Sequence, residues 1–464
     1  MNSSQSDVVV TPRRQNGQTQ VVFVRLDPLL QELLQSLTHY QELVGRSSAE
    51  QNNNDNNGPR KDDHDETNNN NNVDQLVIQN IQSTIRILEK LQNALEQLGP
   101  PFALSLILLA DYISLPLTAI FHVKTDDQKT HRDEEHKDPN EGRRRWQIQR
   151  SYVRKLYCST ANVIGCYVQT CCSVPHSDDR MDDALRTSLK SSHLIKFLIS
   201  LANAFPTSGG GGGDRKADDI FSNTLDDGSD LWISLLDTIM TILSVCDEDL
   251  SEAWDGTLVA RLVDCMTMVL ASSKQQEVCF KSLQALQCLL ESSSKHSLWQ
   301  SIFPGIFASL YRHMVGLHRQ KSYGLSVSIE CQLLSVLTKL FQVTLLPLAN
   351  RDFDDTQTKS AKALIQQLEI IAKKSQTDSQ TKEEEEAEPS NFVTEMNQRV
   401  VAPLSVLLRQ EAISPSDKVR LEVLSLSSIL LIDTRKCWTS TRMKETSLEI
   451  CLMLQVDAEG TFDG

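Results

Sequence analysis

Aromatic residues make up only 5% of this 464-residue chain, and glycine occurs 18 times. Strands draw on aromatic side chains and β-rich folds turn on glycine, so a β-sandwich or barrel is poorly supplied. No alternating apolar–polar run is long enough to build a sheet. No C-x-x-C pair occurs, and the eleven cysteines are scattered and odd in number. That usage argues against a paired zinc motif and for a reducing compartment rather than a disulfide framework. The N-terminal "MNSSQSDVVVTPRRQ" has no apolar core of the kind that directs secretion. Positive charge is also short: 46 Lys and Arg against 61 Asp and Glu leave a net charge of -15. That balance argues for solubility and against broad, non-specific contact with nucleic acid.

What the chain does have is aliphatic residues at helical spacing. In "LVIQNIQSTIRILEKLQNALEQL" they recur at Ile78, Ile81, Ile85, Leu88, Leu91, Leu95 and Leu98, and Gly99 with two prolines stops the helix. In "LWISLLDTIMTILSVC" the stripe is Trp232, Leu235, Leu236, Ile239, Leu243 and Cys246. Similar stripes fill "LVARLVDCMTMVL", "VCFKSLQALQCLLE", "IFPGIFASLYRHMVGL" and "SIECQLLSVLTKLFQVTLL". The count comes to about fourteen helices, too many for one four-helix bundle, and several are apolar on two sides. Stacked helix pairs bury both sides, one within the pair and one against the next. Where inserts are absent, corresponding helices lie about 40 residues apart, the period of HEAT and armadillo repeats. The expected fold is therefore all-α, an α-solenoid of HEAT/armadillo-type helix pairs.

Low-complexity inserts interrupt the helices. The boundaries expected are an unstructured N-terminus 1–20, one solenoid over 21–455 and an unstructured tail 456–464. Flexible inserts are expected at 46–72, 124–145, 205–229 and 376–390. They are Asn/Asp-rich, charged, Gly-rich and Glu-rich in turn, and hold too little apolar surface to offset ordering entropy. Phe102–Phe121, "FALSLILLADYISLPLTAIF", is long enough for a membrane span but carries Asp111 and Pro116 and has no companion span. A fully buried helix without a membrane partner is the expectation there.

Chemistry-bearing clusters are few. His131 and His136 in "HRDEEH" are five apart in a charged loop, not the four of a metallohydrolase helix. Gly209–Gly213 lead into "DRKADD", whose acids would repel phosphate. Cys171 and Cys172 are adjacent, and Cys158 and Cys166 fit a helical core. The basic run Arg143, Arg144, Arg145, Arg150, Arg154 and Lys155, with Trp146 and Tyr152 between, reads as the outer face of a helix or a site for an acidic protein. No catalytic, cofactor-binding or metal-ligating residue is assigned, no cofactor is expected, and the partner-binding residues are left open.

"SPSDKVRLEVLSLSSILL", Ser414–Leu431, has an unusual make-up. Ser414 is expected to cap the helix, with Pro415 at its first position and Asp417 favourable to the dipole. Val419, Val423, Leu426 and Leu430 form one stripe, while Leu421, Leu424, Leu431 and Ile432 form another. Arg420 is expected to pair with Asp417 and also with an acid on an adjacent repeat.

Four landmarks occur in order: Phe23, Leu26 and Pro28 near the start; Tyr112 followed by Pro116 and Leu117; Pro304, Gly305 and Ile306 leading into a helix; and "KVRLEVLSLSSILL". Together they resemble the N-terminal portion of the Tel-two-interacting protein 1 family, over Phe23 to about Trp438. The low-complexity inserts depart from the family pattern. The chain is also about half the usual family length and stops without an obvious capping helix, so it is expected to be poorly soluble alone or to need a partner. The resemblance implies the HEAT-repeat scaffold of the Triple T complex and no enzyme. Implied partners are Tel-two protein, the second Tel-two-interacting protein, the heat-shock chaperone machinery and phosphatidylinositol 3-kinase-related kinases, the mTOR and DNA-damage checkpoint kinases among them. It implies the cytoplasm first and the nucleus second. The rival readings are another HEAT/armadillo adaptor, as in nuclear transport, and an α-helical enzyme with a dispersed site.

Overall fold

The computed structural model describes residues 12–54, 66–121, 139–172, 189–205, 229–245, 256–292, 296–319, 326–349 and 391–460. The fold is all-α. The described residues form fourteen α-helices and no strand. The chain divides into two compact units, Met1–Cys265 and Met266–Gly464, where the helical pattern suggested one array.

The first unit holds α1 (Pro12–Asn54), α2 (Glu66–Leu98), α3 (Ala103–Leu108), α4 (Ala110–Ile120), α5 (Pro139–Cys172), α6 (Ile195–Asn203) and α7 (Ser229–Ser244), and it ends within α8 (Gly256–Ser272). Ile81, Leu88, Leu91, Leu95 and Leu98 of α2 are buried, as are Trp232, Leu235, Leu236, Ile239 and Leu243 of α7. Cys246 lies outside the described residues. Gly99 ends α2 with φ +61° and donates its N–H to the Leu95 carbonyl at 3.3 Å. That left-handed cap carries a steric penalty for any residue with a Cβ, so glycine fits it.

Several helices extend into stretches expected to be irregular. α1 begins at Pro12 and runs to Asn54, α2 starts at Glu66, α5 starts at Pro139, and α14 (Thr441–Gly460) enters the expected tail. The reason is cooperativity: once a packed core has nucleated a helix, each added residue gains a hydrogen bond without a new nucleation cost. Gly209–Gly213, the Glu-rich stretch 376–390, His131 and His136 lie outside the described residues.

The expected buried helix over Phe102–Phe121 is instead a 3₁₀ turn followed by two helices that break at Leu109. Tyr167 is fully buried on α5, and its hydroxyl donates to the Leu106 carbonyl at 3.1 Å. The Leu109 N–H takes the same carbonyl at 3.2 Å in a tightened turn. A regular helix would give that carbonyl to Ala110, so the buried phenol stands in for a helical donor. The break leaves Leu108 and Leu115 exposed.

Helix order in this unit follows from its cross-links. Thr19 and Asp27 of α1 reach Ser105 and Tyr112, at sequence separations of 86 and 85. Cys158 and Ala161 of α5 reach Ser234 and Thr238 of α7, at separations of 76 and 77. A separation that stays nearly constant as both members advance means that the two segments run parallel, α1 beside the α3–α4 stretch and α5 beside α7. In each case the chain passes through an intervening helical stretch between the two.

The second unit contains the end of α8, then α9 (Gln276–Ser292), α10 (His296–Arg319), α11 (Val327–Ala349), α12 (Asn391–Ala412), α13 (Asp417–Leu431) and α14. Its centre is aromatic: Phe303 lies 5.4 Å from Phe341 and 5.8 Å from Phe392, and Phe341 lies 5.9 Å from Trp438. Asn397, Ser405 and Arg409 of α12 meet Thr439, Met443 and Glu449 at separations of 42, 38 and 40. α12 and α14 are thus parallel with α13 between them in sequence. By length and composition α11 could cross a membrane, yet 44% of its most apolar window is buried inside the fold.

Candidate functional site

Three chemistry-bearing groups from distant segments meet where α4 packs on the turn before α6. Nδ1 of His193 lies 3.4 Å from the Ser114 hydroxyl, and Nε2 lies 3.7 Å from the Asp111 carboxylate. Lys196 reaches the same carboxylate at 3.4 Å. Burial lowers the His193 pKa, Asp111 pulls it up, and Lys196 lowers it. The residue types are those of a hydrolase triad, but the burial is inverted. A triad needs an accessible serine and a buried acid that orients the imidazole. Here Ser114 is buried and its hydroxyl turns back 3.4 Å to the Asp111 carbonyl. The Asp111 side chain is 86% exposed. The trio ties α4 to the π-helical turn Leu189–Leu194. Sequence reading found no such trio because His193 and Ser114 are 79 residues apart.

Among the described residues no group of three or more His, Cys, Asp or Glu is placed to hold a metal. The described cysteines are free. Burial pushes the Cys171 thiol well above its ordinary range, Cys265 up to about 12 and Cys279 up to about 11. Such thiols stay protonated and behave as small apolar groups. Cys158 and Cys166 are half-buried rather than fully in the core. Within the basic run only Tyr152, Arg154 and Lys155 are described as side chains, and the Lys155 ammonium lies 5.7 Å from the Tyr152 ring centre.

The helix at Ser414 departs from expectation at three points. Its N-cap is Ser416, in extended conformation, and the helix begins at Asp417. The first helical bond runs from the Arg420 N–H to the Ser416 carbonyl at 3.1 Å, which leaves Pro415 ahead of the helix. Arg420 does bind Asp417, but its second contact is the Ser414 carbonyl at 3.1 Å, not an acid from another helix. A guanidinium in the first turn is disfavoured by the dipole, and folding back onto a carboxylate and a loop carbonyl relieves this. The stripe Val419, Val423, Leu426 and Leu430 is buried, whereas Leu421 is 64% and Ile432 69% exposed. α13 packs on α12 and α14; Ser427 and Ile429 are buried along with the first stripe, and Leu424 and Leu431 of the second are half-buried.

Beside its buried stripe, α13 also borders an open groove of about 360 Å³. Phe280 of α9, Val327, Cys331 and Ser335 of α11, and Lys418 and Glu422 of α13 line it. Burial raises the Cys331 thiol pKa, the Glu422 and Glu330 carboxylates raise it further, and Lys418 opposes them. Sequence reading missed this groove because its walls come from three helices far apart in the chain.

A scan of protein-family models gives no match to this chain, and a search of curated proteins gives none either.

Proposed function

We propose that this chain is a non-enzymatic scaffold built as a HEAT/armadillo-type α-solenoid. On this reading it serves a Triple T-type co-chaperone complex that supports maturation of phosphatidylinositol 3-kinase-related kinases. The observation that carries the solenoid reading is the parallel run of alternate helices. Asn397, Ser405 and Arg409 meet residues 42, 38 and 40 positions later, the spacing of one helix pair. Helix pairs stacked in this way place every second helix side by side and parallel.

The Triple T reading rests on the resemblance of the four landmarks. Supporting it, two of them touch: the Phe23 and Tyr112 rings lie 5.7 Å apart, and Tyr112 hydrogen-bonds Asp27. Leu26, Leu117 and Ile306, one from each of three landmarks, are fully buried. The landmarks therefore act as packing residues, and the scaffold's work falls to the surfaces they hold in place. On this reading a face built of stacked helix pairs holds a large kinase and its chaperones together without any chemistry of its own.

Affinity capture of the native protein followed by mass spectrometry tests this. The expected result is co-purification of Tel-two protein, the second Tel-two-interacting protein, heat-shock chaperones and the kinases, from cytoplasmic and nuclear extracts. Depletion should then lower kinase abundance. Recovery of nuclear-transport factors with no kinase-maturation protein would replace this reading with that of a transport adaptor.

A further inference from the structure

We propose that the groove between α9, α11 and α13 receives a basic side chain, arginine or lysine, of a partner polypeptide, with the Glu422 carboxylate as its counter-ion. Glu422 is half-buried and, among the described residues, makes no hydrogen bond or ion pair. The Glu422 carboxylate is only partly withdrawn from water, and an unpaired carboxylate in such a position gains from taking a counter-ion. Burial alone raises the Glu422 pKa, with no neighbouring cation to bring it down. Lys418 lies one turn earlier on α13, but it is exposed, and the two do not pair. Lysine four residues before glutamate is also the weaker order for a helical pair. The groove therefore presents an unpaired carboxylate that an incoming cation can meet.

The walls fit a long cationic side chain rather than a bare ion. Phe280 and Val327 offer an apolar wall for the aliphatic stem of such a side chain. Val327 is 38% exposed, so part of that wall is now in water. The groove is open and crosses three helices, as a polypeptide needs. Ser328 and Ser335 also line it, and a serine hydroxyl can both donate to and accept from a peptide backbone. The net charge of -15 draws basic segments in from solution. None of this depends on the scaffold being of the Triple T type.

Cys331 lines the groove and allows a local test on the full chain. Pentapeptides Ser-Gly-Xaa-Gly-Cys, with Xaa arginine, norleucine or glutamate, are offered as mixed disulfides under exchange conditions. Capture at Cys331 is read by peptide mass mapping. The arginine peptide should be captured about three- to fivefold more than the norleucine peptide, as a partly exposed ion pair would give. The preference should persist in Lys418→Gln and vanish in Glu422→Gln. Equal capture of the two peptides, preference for glutamate, or an arginine preference that survives in Glu422→Gln would overturn the proposal. Cystamine, a small cation, should be captured less than the arginine peptide; equal capture would overturn the assignment to a polypeptide. If Glu422→Gln does not fold, the unaltered chain decides. Its arginine preference should fade between about 0.05 and 1 M salt, and a preference indifferent to salt would overturn the idea. A negative result here leaves the co-purification test standing.

Discussion

The Tyr167 hydroxyl donates to the Leu106 carbonyl where α3 gives way to α4, so a buried side chain of one helix completes the backbone of a broken one. Tyr167→Phe keeps the ring packed 6.0 Å from Phe197 but removes that donor. It should lower stability by about 0.5–1.5 kcal/mol, the net worth of one hydrogen bond. Urea unfolding followed by circular dichroism checks this; an unchanged midpoint would mean the Leu109 N–H suffices alone.

Phe303 touches Phe307, Phe341 and Phe392 and is fully buried. Phe303→Ala leaves a cavity among rigid rings that relax only partly. The expected cost is about 3–5 kcal/mol. Phe303→Leu, which keeps most of the volume, should cost clearly less in the same melt.

His313 of α10 has a buried Nε2 with no hydrogen-bond partner. Burial lowers its pKa from 6.5 to about 4. The unfolded chain therefore binds a proton that the folded one refuses between these values. Stability from this group is full above pH 6.5 and is lost as pH falls toward 4. The loss is on the order of 3 kcal/mol at most. His313→Gln should flatten that part of the stability–pH curve; an unchanged slope would show that other groups set it.

Arg420 links the Ser414 carbonyl to the Asp417 carboxylate at the start of α13. Its side chain is 29% exposed and Asp417 is 82% exposed. Arg420→Ala should cost about 1 kcal/mol or less, in part lost at high salt. Lysine should restore little of this, because a point charge cannot serve both acceptors as a planar fork does. Full rescue by Arg420→Lys, read from thermal midpoints, would show that charge alone matters.

Much of the fold was legible because its signals are local. Apolar spacing marked α2, α7 and α9, and Gly99 marked the end of α2. The limits of that legibility show at α13. Val423 and Leu421 are both apolar helix positions, yet one is buried and the other 64% exposed. Periodicity says which residues share a face and not whether a neighbour covers it. The break at Leu109 was illegible for a similar reason: the donor that satisfies its free carbonyl is Tyr167, 61 residues from Leu106.

The amino-acid sequence alone determined that this protein is helical, where most of its helices lie and which stripes are apolar. Those properties follow from spacing within a few turns of one chain segment. Tertiary structure decided which stripe of α13 meets a partner, that Arg420 turns back to its own loop, and that Glu422 stands unpaired beside Phe280 and Cys331. Burial and counter-charge are properties of neighbours in space, and here those neighbours come from α9, α11 and α13, brought together only by folding.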